Sequence, residues 1–482
     1  MKNSIKYNYI LNTSYQILIM IVPLITTPYI SRVLGADGIG IYSYTYSIVS
    51  YFVLVAVMGT STFGQRTIAY YQEDKERRSR AFYEIFIFRV VSTLICITIY
   101  FFYLFKFVRS NKEIAVIQLL YLISVLFDVT WFFQGLEDFR TIVFRNALVK
   151  IINIVLIFAL IKTAEDVWKY TLLLSLLTLV GNLSIWIYLP KYIQKISVKT
   201  VKPFSDFKEI LALFIPAVAV QIYTVLDKTM LGISAPSLME NGYYEQTEKI
   251  VRLALAIVTS LGTVMIPRIA KVFADKNYSL MKEYLKGSFQ FVWLLGIPLL
   301  FGIAGTVRIF VPVFFGLGFE KIKILLPVYS LIIIPVSLSN VIGCQFLIPT
   351  KQENIYTFAV VLSAVLNYIL NSFLIPRFLS LGAAAASVSA ECFGALFMIV
   401  YTVKRGQIDL KVLLISSWKN WLSAIGMFVI LLLLQRQMSI KISSLIVLIS
   451  VGIVTYIAFL FLLKDDFFIK NVHSLVKKHK WR

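Results

Sequence analysis

The chain has 482 residues, of which 59% are hydrophobic and only 15% charged, with a mean hydropathy of +0.81. A soluble globular protein carries roughly 45–50% apolar and about 25% charged residues. A soluble fold is therefore excluded, and so is a soluble enzyme on one anchor, because no long polar stretch remains to build a catalytic domain.

Apolar runs between charged breaks, each near the roughly 20 residues a span requires, predict fourteen transmembrane helices. In chain order they cover residues 10–30, 41–64, 82–105, 114–134, 142–161, 170–189, 209–233, 245–267, 287–312, 324–348, 355–375, 381–403, 417–434 and 442–463. The first run follows Met1 to Asn8 and ends in Pro28, Arg32 and Gly35 without a small-residue cleavage site, so it reads as a retained span. An even number of spans puts both termini on one face. The formal charge of +22 then sorts by side. The termini's face collects 30 of the 47 basic residues, including the runs from Arg66 to Arg80 and from Lys191 to Lys208 and the tail from Lys464 to Arg482. The opposite loops hold 13, and four (Arg89, Lys150, Lys228, Arg252) fall within spans. This bias marks the termini's face as cytoplasmic. The loop from Ser234 to Glu248 is expected on the other face, with Glu240, Glu245 and Glu248. Cys96, Cys344 and Cys392 lie singly in apolar runs, which indicates neither a disulfide framework nor a thiolate metal site.

The chain also repeats itself. Pro23, Leu34-Gly35, Gly40-Ile41-Tyr42, Gly59 and Arg66 recur about 200 residues later as Pro216, Leu231-Gly232, Gly242-Tyr243-Tyr244, Gly262 and Arg268. Further on, Asn153 matches Asn367, and Gly181 with Tyr188 matches Gly394 with Tyr401. Both copies begin on the same face, six spans apart, so the repeats are parallel, a known transporter design with the substrate site between the halves. The expected fold is an all-α integral membrane protein. It has two six-helix bundles, residues 1–208 and 209–404, and residues 405–482 add two transmembrane helices and a basic cytoplasmic tail.

Ionisable side chains at membrane depth are costly and normally face a cavity or a partner. This chain has Arg89, Asp128, Lys150, Asp227, Lys228, Arg252 and Glu391. In the fifth span Asn146, Lys150 and Asn153 share one helix face at i, i+4, i+7. Gln221, Thr224 and Lys228 do the same in the seventh, and Ser363, Asn367 and Asn371 repeat the stripe without charge in the eleventh. Such a stripe is either the wall of a wet cavity or interhelical hydrogen-bonding glue; a lysine in it favours the cavity. Lysine and arginine in a low-dielectric cavity suit a polyanionic headgroup such as pyrophosphate. Against that, Asp227 and Lys228 also read as a pair snorkelling to the interface, and Glu248 with Arg252 as a local i, i+4 ion pair. Asp128, Asp227 and Glu391 are candidates for H+ or Na+ coupling, the competing reading being that each neutralises an intramembrane cation.

No site for chemistry is visible. There is no GxxxxGK[ST] loop, His473 and His479 sit together in the tail, and no loop is long enough for a nucleotide-binding domain. No cofactor and no metal is expected, and transport is gradient-driven or downhill. A glycan-polymerising membrane enzyme would need a large external loop, whereas the longest expected here is about a dozen residues. The excess positive charge belongs to the membrane surface rather than to nucleic acid.

Three motifs carry a family resemblance. Pro28-Tyr29-Ile30-Ser31-Arg32-Val33-Leu34-Gly35, followed by Gly38-Ile39-Gly40-Ile41-Tyr42-Ser43, resembles the opening signature of Wzx-type polysaccharide flippases. Trp131-Phe132-Phe133-Gln134-Gly135-Leu136-Glu137-Asp138-Phe139 is similar to the end of their fourth span, and Leu226-Asp227-Lys228-Thr229-Met230-Leu231-Gly232 to their seventh. The likeness extends over most of the chain and is weakest in the last two spans. It implies a member of the multidrug/oligosaccharidyl-lipid/polysaccharide (MOP) exporter superfamily, with MATE-like bundles in a V and a cavity opening alternately to either face. The implied cargo is an undecaprenyl-pyrophosphate-linked oligosaccharide repeat unit, flipped across the bacterial cytoplasmic membrane for capsule or exopolysaccharide assembly. A polysaccharide polymerase and a chain-length regulator are the implied partners beside the lipid bilayer. Arg32, Asp227 and Lys228 fall in the matching motifs, whereas Arg89, Lys150 and Arg252 join the cationic cavity on charge and depth. The polar lining expected with them is Asn146, Asn153, Gln221, Asn367 and Asn371. Flippases of other polyprenyl-linked precursors, lipid II or teichoic acid, remain close alternatives. A multidrug/cation antiporter of the same superfamily is disfavoured by the net positive interior.

Overall fold

A computed structural model describes residues 5–197, 201–414 and 417–479. Its regular elements are helices, with no strand among the described residues. They are α1 (Ile5–Val57), α2 (Thr60–Tyr70), α3 (Lys75–Lys106), α4 (Lys112–Leu126), α5 (Thr130–Gly135), α6 (Phe139–Leu160), α7 (Val167–Ser184), α8 (Phe207–Ser234) and α9 (Met239–Ala274). There follow α10 (Tyr278–Phe314), α11 (Ile322–Ser330), α12 (Ile333–Ser339), a π-helix (Asn340–Leu347), α13 (Glu353–Phe378), α14 (Ser380–Lys404), α15 (Leu410–Leu414), α16 (Ser417–Gln437), α17 (Ile442–Leu462) and α18 (Asp466–His479). The chain divides into two compact units, Met1–Gly242 and Tyr243–Arg482.

Twelve stretches of the described residues are long and apolar enough to cross a membrane, and the first, Tyr15–Tyr70, is 56 residues long, enough for two crossings. With α8 on the expected seventh span, every one of the fourteen apolar runs coincides with helix. The breaks fall elsewhere than expected. α1 continues through residues 31–40, where a loop is expected, as two helices joined at a kink at Gly35 (φ 66°, ψ −178°), a conformation open to glycine for want of a Cβ. The second span breaks instead at Met58 and Gly59, both at positive φ, and the fourth at Phe127–Val129, between α4 and α5. The tenth is three pieces: α11, α12 and the π-helix, where the Ile348 amide donates to the Gly343 carbonyl (3.0 Å). The expected Ser234–Glu248 loop shrinks to residues 235–238. Glu240 and Glu248 are buried on α9, Glu240 in its first turn, where an acidic group is favoured.

Both units show the pattern of a chain folded in hydrocarbon. Large apolar side chains such as Leu94, Ile95, Ile99 and Phe102 on α3, and Ile446, Ile453 and Val454 on α17, are exposed, since lipid is as apolar as they are. In the first unit an aromatic cluster of Phe82, Trp131, Phe132 and Phe133 fills the space beneath α2, α3 and α5. Helices there approach closely at glycines. A Cβ on Gly64 would lie 2.3 Å from the Trp131 ring, one on Gly40 would lie 1.8 Å from the Leu238 carbonyl oxygen, and one on Gly242 would lie 1.9 Å from that of Ala36. In the second unit α10 packs with α16 and α17, and α13 with α14. Trp293 Nε1 donates to the Leu413 carbonyl (2.8 Å).

Candidate substrate site

The polar stripe of the fifth span lies on α6, whose opposite face exposes Phe144, Leu148, Ile151 and Val155. Asn153 is buried, with its side-chain oxygen unpartnered. Lys150 is half-buried. Asn146 hydrogen-bonds the Tyr15 side chain from α1. Beside it Arg145 Nη1 donates to Asn182 Oδ1 on α7 (3.1 Å), and Asn182 Nδ2 donates to the Ser124 carbonyl (2.9 Å). Four elements, α1, α4, α6 and α7, thus assemble a polar cluster around Arg145, Asn146 and Asn182 within the first unit, with Lys150 one turn further along α6. Arg145 is not among the site residues expected from the sequence. The signal that could have found it is Asn182, a lone amide in an apolar span that needs a partner.

Arg89 behaves differently. It is 1% exposed. Its Nε and Nη2 donate to Thr60 Oγ1 (3.0 and 2.7 Å), Nη2 also to Ser61 Oγ (2.9 Å), and Nη1 to the Asp128 carbonyl. The Trp131 ring lies 6.0 Å from the guanidinium. Against the expectation of a cavity cation, Arg89 is enclosed and its donors are taken, because a guanidinium in low dielectric must be hydrogen-bonded throughout. The Asp128 carboxylate accepts from the Thr130 amide (3.0 Å) and hydroxyl (2.6 Å) at the start of α5.

The remaining motif residues of this unit lie on α1 and α8. Asp227 is buried within electrostatic reach of Tyr51. The neighbouring Thr229 hydroxyl reaches Ser47 Oγ (3.0 Å) and the Tyr51 hydroxyl (3.2 Å). Lys228, one residue on, is half-buried, and its carbonyl accepts from Asn241 Nδ2 (2.6 Å). Gln221 is half-buried and Arg32 exposed.

In the second unit Arg252 grips Glu248 through Nε (2.8 Å) and Nη2 (2.5 Å), the local ion pair left open by the spacing. Asn367 and Asn371 are fully buried. Asn371 Nδ2 donates to Asn367 Oδ1 (3.0 Å), and Asn367 Nδ2 to Ser387 Oγ on α14 (3.2 Å). That is interhelical glue rather than a wet wall in this conformation. Glu391 is half-buried, within electrostatic reach of Tyr356 and Cys392. Asp128, Asp227 and Glu391 therefore sit in separate environments. Among the described residues no group of three His, Cys, Asp or Glu could hold a metal.

Against known proteins, a family model described as polysaccharide biosynthesis protein matches residues 5–273. The chain belongs to the polysaccharide biosynthesis protein family. A protein of Escherichia coli (strain K12) named as an O-antigen transporter is 24% identical over 398 residues, covering 79% of this chain and 92% of the relative. One of Shigella dysenteriae, with the same name, is 22% identical and covers 78% and 94%. Among solved structures, the lipid II flippase MurJ in an inward closed conformation matches with a TM-score of 0.70 at 16% identity, over 94% of this chain and 97% of that one. An inward-facing multidrug resistance MATE transporter of the MOP superfamily matches at 0.65 and 13% identity, over 82% and 97%. The family member thus has the all-helical membrane-transporter fold expected from its spans.

Proposed function

We propose that this protein flips polyprenyl-pyrophosphate-linked oligosaccharide repeat units from the inner to the outer leaflet of the bacterial cytoplasmic membrane, with both termini cytoplasmic, for assembly of a surface polysaccharide such as capsule or exopolysaccharide. The observation that carries this reading is the match to O-antigen transporters over more than nine-tenths of their length. The polar cluster beside Lys150 suits it chemically. A pyrophosphate stripped of water needs fixed cations and N–H donors, which Lys150, Arg145 and Asn146 offer, with Arg32 and Lys228 on neighbouring helices of the same unit. The glycan follows the headgroup through the polar path while the polyprenyl chain stays in lipid. Alternating exposure of the site moves the cargo, driven downhill or by H+ or Na+ at Asp128, Asp227 or Glu391. The partners in this scheme are the bilayer, a polymerase and a chain-length regulator. The MurJ fold keeps lipid II as a second reading of the cargo.

Deletion in the native host tests the assignment. Loss of surface glycan with lipid-linked repeat units accumulating on the inner leaflet is expected, and normal surface glycan with altered drug sensitivity would overturn it. For coupling, Asp128→Asn assayed under imposed pH and sodium gradients should blunt the dependence on one of them.

A further inference from the structure

A polar cavity lies in the first unit, apart in sequence from Lys150. It occupies about 260 Å³ at the end of α2 and α3 where the basic Arg66–Arg80 run turns, and Phe63, Tyr71, Arg77, Arg80, Glu84 and Asp206 are among its walls. Residues on the way to α8 are tied to α3 beside it: the Arg78 guanidinium donates to the Tyr192 carbonyl (2.7 Å), the Gln194 amide to Ser79 Oγ (2.9 Å), and the Lys202 amide to Glu84 Oε1 (3.0 Å).

Its charges are arranged unusually. Two arginines and two carboxylates line one small space, yet none of the four forms an ion pair with another. Arg77 turns to Asp74 (3.2 Å) and Arg80 to Glu76 (3.4 Å), both on the exposed rim, where such pairs contribute little. Arg80 Nε is buried without an acceptor, and a buried donor left unmade costs roughly 1–3 kcal/mol. Asp206 heads α8 without capping it. The cavity therefore brings together Arg77 and Arg80, the latter with an unfilled donor, the carboxylates of Asp206 and of Glu84, one of whose oxygens holds the Lys202 amide, and the side chains of Phe63 and Tyr71.

We propose that this cavity is a reception site for a glycosyl phosphate: arginines take the phosphate, carboxylates accept hydrogen bonds from sugar hydroxyls, and the rings cover an apolar sugar face. It rests on the flippase reading and adds to it a docking step on the termini's face, before the headgroup reaches Lys150. The volume admits the phosphate-proximal sugar, not the whole glycan.

The test uses the purified full chain in detergent and two probes, glucose 1-phosphate and inorganic pyrophosphate. Glucose 1-phosphate should bind more tightly than pyrophosphate or glucose. Arg80→Gln should weaken both phosphate-bearing probes about tenfold, whereas Glu84→Gln should weaken glucose 1-phosphate alone. Thermal melts identify variants that fail to fold, and Asp206→Asn then stands in for Glu84→Gln. Unchanged binding in folded Arg80→Gln, or equal loss of both probes in Glu84→Gln, overturns the site. In vesicles carrying the lipid-linked substrate, Arg80→Gln should raise the substrate concentration for half-maximal flipping and leave the maximal rate intact. If the wild-type chain flips nothing, the flippase reading fails; if it flips and Arg80→Gln matches it, only the reception site fails.

Discussion

Two basic residues at membrane depth, Arg89 and Lys150, look alike in sequence and part company in the structure. Arg89 is enclosed by hydroxyls, a carbonyl and an indole; Lys150 is only half-buried. Burial and partners decide the role, and neither is legible from a position within an apolar run. Arg89→Ala should destabilise the protein by about 2–4 kcal/mol, since it orphans Thr60 and the Asp128 carbonyl and leaves a cavity; thermal melting in detergent reads this, and Arg89→Lys should rescue little because one ammonium cannot span the same acceptors. Lys150→Glu should leave the melt and protein level near wild type and abolish glycan export in a complementation assay. Export that survives the charge reversal removes Lys150 from the site. The i, i+4, i+7 stripe lies on the face of α6 that buries Asn153, away from the exposed Phe144, Leu148, Ile151 and Val155.

At the scale of elements, hydropathy located the helices well because each span is an unbroken apolar run, but it could not locate the breaks inside them. Met58–Gly59 interrupts the second span with only a glycine to mark the turn, and Phe127–Val129 the fourth with only Asp128. The π-helix Asn340–Leu347 is likewise silent in sequence. It holds Gln345, whose side-chain oxygen is buried and unpartnered, and Gly343, where a Cβ would lie 2.3 Å from the Tyr356 ring. Gly343→Ala should cost about 1–3 kcal/mol by overpacking, and Tyr356→Ala in the same chain should return part of it, measured as paired melting temperatures. The α13–α14 stripe makes a milder prediction. Ser387→Ala removes the acceptor of Asn367, and at roughly 0.6–1.7 kcal/mol for a membrane hydrogen bond it should lower stability slightly and leave transport intact.

For the whole molecule, the counting of basic residues by face is the strongest statement the sequence makes, and it predicts both termini inside. A green fluorescent protein fused after Arg482 should fluoresce, and alkaline phosphatase at the same place should be inactive; the reverse pattern inverts the proposed direction of transport. The Gly40–Gly242 pair of the expected repeat has a physical meaning that the pattern alone does not reveal. Gly40 and Gly242 are each pressed against backbone of the segment carrying the other, Gly40 at Leu238 and Gly242 at Ala36. Alanine at either would collide with a carbonyl, which no side-chain rotation relieves. What stayed illegible was the division of labour among the charges, because it depends on which helices meet.

The surroundings of Arg89 also bear on how the protein is made. A bare arginine at the centre of an inserting helix costs about 2.5–3.5 kcal/mol, and α3 reaches the membrane before α4 and α5 exist. The hydroxyls that meet it first, Thr60 and Ser61, belong to the helix synthesised immediately before. The Asp128 carbonyl and Trp131 arrive only with the following span. The order of the chain therefore supplies partial solvation of the charge at the moment of entry and completes it afterwards, which makes α2 a local chaperone for the insertion of α3.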